Sequence, residues 1–484
     1  MKTYFKLLLV ALVTTFFVQG CQDNDDIVPP ATLEIQDFIW KGMNQYYLWT
    51  DEVANLDENR FPNQGALNSF LQNYNKPEDL FAALRVSSDL DKFSWIVDDY
   101  LELEGQFQGT TNNNGVEFGL GRISAGSSEI FGFVRYIIPG SNASTKDIKR
   151  GDIFTGVNGT PLTISNYISL LYGANNDYTL NMANLVGNTL VANGKNIALT
   201  KTVLTENPIL VNKVITVGSR KIGYLMYNAF TATFDTQLNN AFGTLKAQGI
   251  TELVLDLRYN GGGSVQTATR LASMITGQFT GKIFAKQQWN KAINDYFEAE
   301  DPNALNNFFT DKIESTPINS LNLTKVYILT SSSSASASEL VINGLKPHIT
   351  VVQIGDVTVG KNVGSVTLYD SPTFGTENRN PKHRYAMQPI VLKIVNSLNF
   401  GEYQSGLRPD VSVLESIGNL GVLGDENEPL LRAAISRITN NARLIPQSKV
   451  TNFQAVSNPM ENNGFNQMYL EKAPEGLLKA LEQK

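Results

Sequence analysis

The residues best suited to covalent chemistry lie in three short segments. In one, Lys325-Val326-Tyr327-Ile328-Leu329-Thr330 reads as an apolar strand entering Ser331 to Ser334, then Ala335-Ser336-Ala337-Ser338-Glu339 and an apolar helix. A strand, a tight turn of small residues and a helix start bring a serine to where unbonded backbone N–H groups and the helix dipole converge. Such a place suits a nucleophile and the oxyanion it generates. The same residues also spell a Ser-x-x-Glu capping box, in which Ser336 and Glu339 do no more than cap the helix. Further on, Val351-Val352-Gln353-Ile354-Gly355 reads as a strand, and Val359-Gly360-Lys361 follows it, with the lysine 25 residues beyond Ser336. Upstream, Leu253 to Leu257 is a buried-strand pattern running into Arg258-Tyr259-Asn260-Gly261-Gly262-Gly263, a glycine loop at the strand end where open α/β sheets bind ligands. A serine hydroxyl needs a base, and with only His348 and His383 in the chain a buried lysine is the economical candidate. An ordinary lysine, with a pKa of about 10.4, is charged at neutral pH, and burial is the force that lowers that value.

These segments need a sheet with crossover connections to position them. From Lys221 onward strands and helices alternate: Ile222 to Tyr227, a helix near Thr236 to Gln248, Leu253 to Leu257, a helix near Ser264 to Ile275, Val326 to Thr330, a helix near Ser336 to Leu345, then Val351 to Ile354. This alternation predicts an α/β core. Gly277 to Leu323 reads as an insertion of weak helical character. From Leu33 to Tyr100 the period is helical, with Ile35, Phe38, Ile39 and Met43, then Leu67, Phe70, Leu71 and Tyr74. Between Gly105 and Thr205 short β-rich runs with Gly and Asn turns take over, including Ile130 to Ile138 and Ile197 to Leu204. The 484 residues accommodate two to four domains. A hydrophobic content of 42% with 18% charge excludes a mainly disordered chain, a collagen or a long coiled coil. One cysteine and two histidines leave no Cys/His zinc cluster, and a net charge of −7 gives no overall attraction to nucleic acid.

The first residues read as an address. Lys2 and Lys6 precede the apolar run Leu7 to Val18, too short to span a membrane, and Val18-Gln19-Gly20-Cys21 follows. This ending resembles a bacterial lipobox, although Gln19 stands where a small residue is usual. Lipidation of Cys21 would make an exported, membrane-anchored lipoprotein, facing periplasm or cell exterior; ordinary signal cleavage would instead leave Cys21 as a thiol. Loss of residues 1–20 leaves 37 basic and 46 acidic residues, a net charge of −9. The acidic Gln22 to Asp26, then Pro29 and Pro30, reads as a solvated tether.

Together the three chemical segments resemble the S41 family of serine peptidases, the carboxy-terminal processing proteases. Family cores carry Asp-Leu-Arg-x-Asn-x-Gly-Gly, here Asp256 to Gly263; Ser-Ala-Ser-Ala-Ser-Glu, here Ser334 to Glu339; and Gly-Lys, here Gly360-Lys361. The resemblance implies an α/β peptidase core of the S41, ClpP/crotonase-like kind, an inserted or preceding β-rich PDZ-like domain and a small N-terminal helical domain. The expected boundaries are signal 1–20, tether 21–32, helical domain 33–104, PDZ-like domain 105–205, core 206–440 and C-terminal extension 441–484. Carried over by position, Ser336 is the nucleophile and Lys361 the general base. The N–H groups of Ala337 and Gly262 then hold the oxyanion, each worth about 3 kcal/mol in other enzymes. Many members carry glutamine four residues after the lysine, whereas here Ser365 stands as the possible lysine orienter. Gly115 to Gly121 resembles a PDZ carboxylate-binding loop, with Gly115, Val116 and Phe118 as peptide-binding positions. Pro139 to Ala143, Lys149 to Phe154 and Val157 to Gly159 resemble later landmarks of that module, and Gly406 to Val411 the family's closing element. The expectation is a serine endopeptidase acting without metal or organic cofactor on proteins or peptides with accessible carboxy termini. The alternatives are a peptide-binding lipoprotein of the same fold without catalysis, and a binder of small hydrophobic ligands in the core cleft.

Overall fold

The computed structural model describes residues 29–57, 59–440, 453–456, 468–471, 473–474 and 477. The signal segment, Cys21 and most of the tether and C-terminal extension lie outside the described residues. Among the described residues no helix is long and apolar enough to cross a membrane.

The chain divides into two compact units, 1–92 and 93–484, so the boundary falls before the expected 104/105. The reason is pairing: Trp95–Val97 runs antiparallel to Ala386–Gln388 and belongs to the second unit. In the first unit the expected periodicity forms the helices Glu34–Tyr46 and Gln64–Leu71, joined by Pro77–Ala83. Phe38, Ile39, Met43 and Leu67 are buried as the pattern requires. Buried Asp37 is satisfied by Gln64 Nε2 at 2.8 Å and Lys41 Nζ at 2.9 Å.

The second unit opens its β-rich part with an antiparallel ribbon, Thr110–Asn113 against Thr202–Thr205. The chain between these strands, joined by Ala455–Val456, forms a sheet ordered Ala455–Val456, Val116–Arg122, Ile130–Ile137, Ile153–Val157, Asp177–Val186, Thr189–Thr200. Alternate residues such as Ile130, Phe154, Leu180 and Met182 fill its core. The α/β core then builds a six-stranded sheet in the order Ile209–Val217, Arg220–Tyr227, Glu252–Asp256, Lys325–Thr330, Thr350–Gly355, Val411–Ser412. The first pair is antiparallel and the remainder parallel. Crossover helices Asp235–Ala247, Val265–Thr276 and Ala337–Leu345 follow the expected alternation within a residue or two.

A second six-stranded sheet is a feature the alternation does not predict. It runs Gly263–Ser264, Met468–Tyr469, Val363–Ser365, Ile390–Asn396, Ile283–Trp289, Asn306–Phe308. The Gly277 to Leu323 stretch, expected to be weakly helical, contributes two of these strands besides its helix Lys291–Glu300. The C-terminal pieces are likewise built into sheets, one against the β-rich part and one beside the glycine loop.

One buried ion network pins the parallel sheet to its covering helix. Arg258, fully buried, meets Asp256 at 2.7 Å, Glu428 at 2.6 Å and Glu415 at 3.1 Å. Glu428 also caps the helix Pro429–Ile438 by accepting from Leu431 N–H at 2.8 Å. Burial alone would raise the Glu415 carboxyl, but Arg258 and Arg150 beside it hold it down at about 2. Arg258→Ala would strand Asp256 and Glu428 as uncompensated buried charges, so we expect a loss of about 3–5 kcal/mol in denaturant unfolding. A loss within 1 kcal/mol, as for a surface pair, would contradict this role.

Candidate active site

Ser336 begins the helix Ala337–Leu345 at φ +64 and ψ −116. A side chain in that region costs about 1–3 kcal/mol, so its surroundings must impose it. The neighbouring serines do so. Ser334 Oγ donates to the Leu257 carbonyl at 2.8 Å, Ser338 Oγ to that of Asn260 at 2.9 Å, and the Ser331 hydroxyl to that of Arg258. Ala335 N–H adds a bond to the Asn260 carbonyl at 3.1 Å. Ser336 is as fully buried as Ser334 and Ser338, but its Oγ has no hydrogen-bond partner among the described residues. A buried hydroxyl left unsatisfied forfeits about 1–3 kcal/mol, a second cost at the same residue.

The glycine loop closes over this serine. Gly262 has φ +114, and a Cβ there would lie 2.6 Å from Ser336 Cβ and 3.0 Å from both Ser336 Oγ and Ala337 N. Only glycine fits such an approach. Buried Asn260 fixes the loop by donating Nδ2 to the Tyr227 carbonyl and accepting Gly262 N–H on Oδ1, both at 2.8 Å.

Glu339 joins the serine turn to the lysine loop. One carboxylate oxygen accepts Ser336 N–H at 2.7 Å and Lys361 N–H at 2.8 Å; the other accepts Gly360 N–H at 2.7 Å and the Thr358 hydroxyl at 2.5 Å. Of the capping box, the Glu339 half therefore forms, while its carboxylate also reaches across to a different strand connection. Burial pushes the Glu339 carboxyl up to about 7, against the pull of these four donors. Lys361 is fully buried, with Nζ 4.7 Å from the centre of the Phe93 ring. Its loop is backed by the Gly406 to Val411 segment: Leu407 N–H donates to Thr358 Oγ1 at 2.7 Å, and a Cβ on Gly360 would meet the Gln404 carbonyl at 2.3 Å.

Several expected roles need correction. Gly262 N–H is engaged by Asn260, so the loop as folded does not present that donor to an oxyanion. Ala337 N–H, at the first helical position, has no such partner among the described residues. Ser365 Oγ donates to the Met468 carbonyl at 3.4 Å and not to Lys361. Gly115 N–H and Val116 N–H are taken by Asn113 Oδ1 at 2.6 Å and Asn114 Oδ1 at 3.0 Å, so neither offers a carboxylate nest. Phe118 lines a cavity and packs edge-on against Phe154 at 5.4 Å. The far end of the same strand is paired at Leu120 and Gly121 with Val456 and Ala455, whereas the Asn113 and Asn114 contacts are local. Asn113 and Asn114 announced this in the sequence, because asparagine readily bonds the backbone two residues on. Glu339 was visible as half of a capping box, but nothing local pointed to its second partner loop.

Residues 221–375 match the model of peptidase family S41, and residues 34–95 match that of the peptidase S41 N-terminal domain. Over those segments the chain is similar to peptidase family S41. It is 23% identical over 257 residues to a carboxyl-terminal-processing protease of Picosynechococcus sp., covering 53% of this chain and 54% of that one. It is 25% identical over 237 residues to a chloroplastic C-terminal processing peptidase of Tetradesmus obliquus, covering 46% and 47%. The chain thus spans about half the length of these curated relatives. A crystal structure of a candidate S41 protease from Bacteroides fragilis superposes with TM-score 0.64 at 25% identity, covering 86% of this chain and 99% of that one. The S41 domain model ends after the lysine loop and so contains Ser336, Glu339 and Lys361 together.

The raised Glu339 carboxyl gives a stability test with a definite sign. Its proton is bound more tightly in the folded state than in the unfolded chain, where the value is 4.5. The stabilisation is therefore fully present below pH 4.5 and is lost as pH rises through about 7. Glu339→Gln removes the titration, so the difference in unfolding midpoint between wild type and variant should change across that window and be flat above it. A pH-independent difference would show that Glu339 does not titrate there.

Proposed function

We propose that this S41 protein is a serine endopeptidase in which Ser336 is the nucleophile and Lys361 its general base. The observation that carries the reading is Ser336 itself: a buried, strained, unpartnered hydroxyl at a helix start, tied through Glu339 to the loop of a fully buried lysine. In the reaction Ser336 Oγ attacks the peptide carbonyl carbon while Lys361 Nζ accepts the hydroxyl proton. The oxyanion lies against Ala337 N–H and the positive end of its helix. Collapse breaks the C–N bond, Lys361 returns the proton to the departing amine, and an ester on Ser336 remains. Water, deprotonated by the same lysine, releases the acid and regenerates the hydroxyl. The first step requires a neutral amine at Lys361, which is fully buried with Nζ 4.7 Å from the Phe93 ring centre.

The β-rich part serves in this reading as the PDZ-like module that receives protein substrates. Its receiving surface is the start of the strand Val116–Arg122 facing the helical turn Ile168–Tyr172, since Val116, Phe118, Leu171 and Tyr172 line one cavity. Main-chain pairing to a strand edge is the mode of capture such a module uses.

Two tests follow from the reading. Ser336→Ala and Lys361→Ala should each lower kcat/KM on an unfolded protein substrate by roughly 10⁴-fold, with the double variant no worse, because the pair acts as one unit. Circular dichroism should be unchanged, and Ser336→Ala should unfold at equal or higher denaturant because it deletes an unsatisfied hydroxyl. Robust cleavage by Lys361→Ala would reject the lysine as base.

We propose in addition that Cys21 is lipidated and anchors the chain. Cys21→Ser should then shift the protein from the membrane to the soluble fraction of cells; unchanged partition would reject the anchor.

A further inference from the structure

A cavity of about 600 Å³ lies between the β-rich part and the core, bounded on the core side by Gly261 of the glycine loop and Ser333 of the serine turn. Its wall is rich in acceptors. Glu117 and Glu206 both line it. The bonds these two make use Oε1 alone: Asn113 Nδ2 reaches Glu117 at 3.3 Å, while Tyr136 Oη at 3.0 Å and Asn228 Nδ2 at 3.4 Å reach Glu206. Asn228, only 7% exposed, turns its amide nitrogen to Glu206, and its Oδ1 is a buried cavity-wall acceptor with no partner among the described residues. Gln106 Oε1 is a second unpartnered acceptor in the same wall.

The carboxyls of Glu117 and Glu206 and two unsatisfied amide oxygens around one space favour a donor-rich guest, and a positively charged one when the carboxyls are ionised. Two cations, Arg135 and Lys201, share this wall, and the charge of Arg135 also acts on the Glu117 carboxyl. Arg135 Nη2 bonds Ser333 Oγ at 2.9 Å and its guanidinium lies 5.1 Å from the Tyr259 ring centre, while Lys201 Nζ bonds the Gly173 carbonyl at 2.8 Å. We propose that this cavity is a substrate subsite for a cationic side chain, lysine or arginine, held by Glu117 and Glu206 with Asn228 and Gln106 as further acceptors. The inference rests on the reading of the chain as a peptidase, and it names the peptides that reading leaves open.

Electrostatics give the subsite a pH dependence. Burial raises both carboxyls, and the charge of Glu117 adds to the rise at Glu206, which stands at about 8. Arg135 counters it at Glu117; Tyr136, Tyr172, Tyr178, Lys201, Tyr259 and Glu102 are the other ionisable groups of the wall. A cation is held by the ionised pair, so its binding strengthens as pH rises through about 8 and weakens below.

The test uses short N-acetylated peptides of neutral sequence in which one lysine is moved along the chain, with norleucine as its uncharged counterpart. Binding is measured by fluorescence anisotropy on Ser336→Ala protein, and turnover on the wild type. One lysine position should bind about 10-fold tighter than norleucine, as expected of a charge-assisted contact. That ratio should grow with pH and fall to about 1 in Glu117→Gln/Glu206→Gln, or in Glu206→Gln alone if the double variant does not fold. The inference is overturned if no lysine position is preferred or if the preference survives these variants. It is overturned equally if only a peptide with an unblocked α-amine, and no lysine, gains affinity. Lysine preference in binding without wild-type turnover would reject the peptidase reading alone, and turnover without lysine preference would reject the subsite alone.

Discussion

The geometry of the site depends on a single carboxylate. Ser336 and Lys361 sit on segments that meet only because neighbouring parallel strands, Lys325–Thr330 and Thr350–Gly355, end side by side. Backbone pairing brings the two loops close but does not set their register at the scale chemistry needs. Glu339 does, by accepting N–H groups from both loops on one oxygen and the Gly360 N–H and Thr358 hydroxyl on the other. A carboxylate can accept four bonds in a plane, whereas an amide would turn donors toward two N–H groups. Such a group is expensive to bury, and a carboxyl held near 7 is the sign of that expense.

The strain at Ser336 is the counterpart of this clamp. Its positive φ persists because the residues on both sides are fixed to the glycine loop through Ser334, Ala335 and Ser338. The serine-rich composition is thus mainly structural, with one hydroxyl left out of the stitching. Glycine at 262 is required for the same reason, since the loop bearing those acceptor carbonyls must lie directly on Ser336. The serine is covered in this arrangement, so a peptide reaches it only after some covering segment moves.

What the sequence makes legible follows from the range of the forces involved. The parallel strands and their crossover helices are encoded by local apolar periodicity, and the expected segments fall within a residue or two of those in the structure. The Ser336 turn, the glycine loop and the Lys361 loop are each local motifs and were readable as such. The second sheet was not, because Ile283–Trp289 pairs with Ile390–Asn396 across a hundred residues, and the strand Met468–Tyr469 is only two residues long. The partner of Ser365 was hidden for the same reason, since Met468 lies 103 residues away, whereas Asn113, Asn114 and Asn260 each accept an N–H two residues on, a local pattern that residue type does suggest.

The substrate cavity and the serine turn share a wall, and that sharing follows from the ion network of the core. Arg258 locks the end of its strand to Glu428 and Glu415, and Glu415 in turn holds Arg150 at 2.7 Å and the Tyr259 hydroxyl at 2.7 Å. Arg150 belongs to the β-rich part, where it also donates to the Arg135 carbonyl at 2.7 Å. Arg135 then bonds Ser333, two residues before Ala335 in the turn that shapes Ser336. Most links in this chain are charged or aromatic, and between such groups withdrawn from water contacts are strong and their loss costly. A guest in the proposed cavity would rest against Arg135 and Tyr259, members of the network that reaches Arg258 and the serine turn, so the proposed subsite and the Ser336 turn share one polar framework.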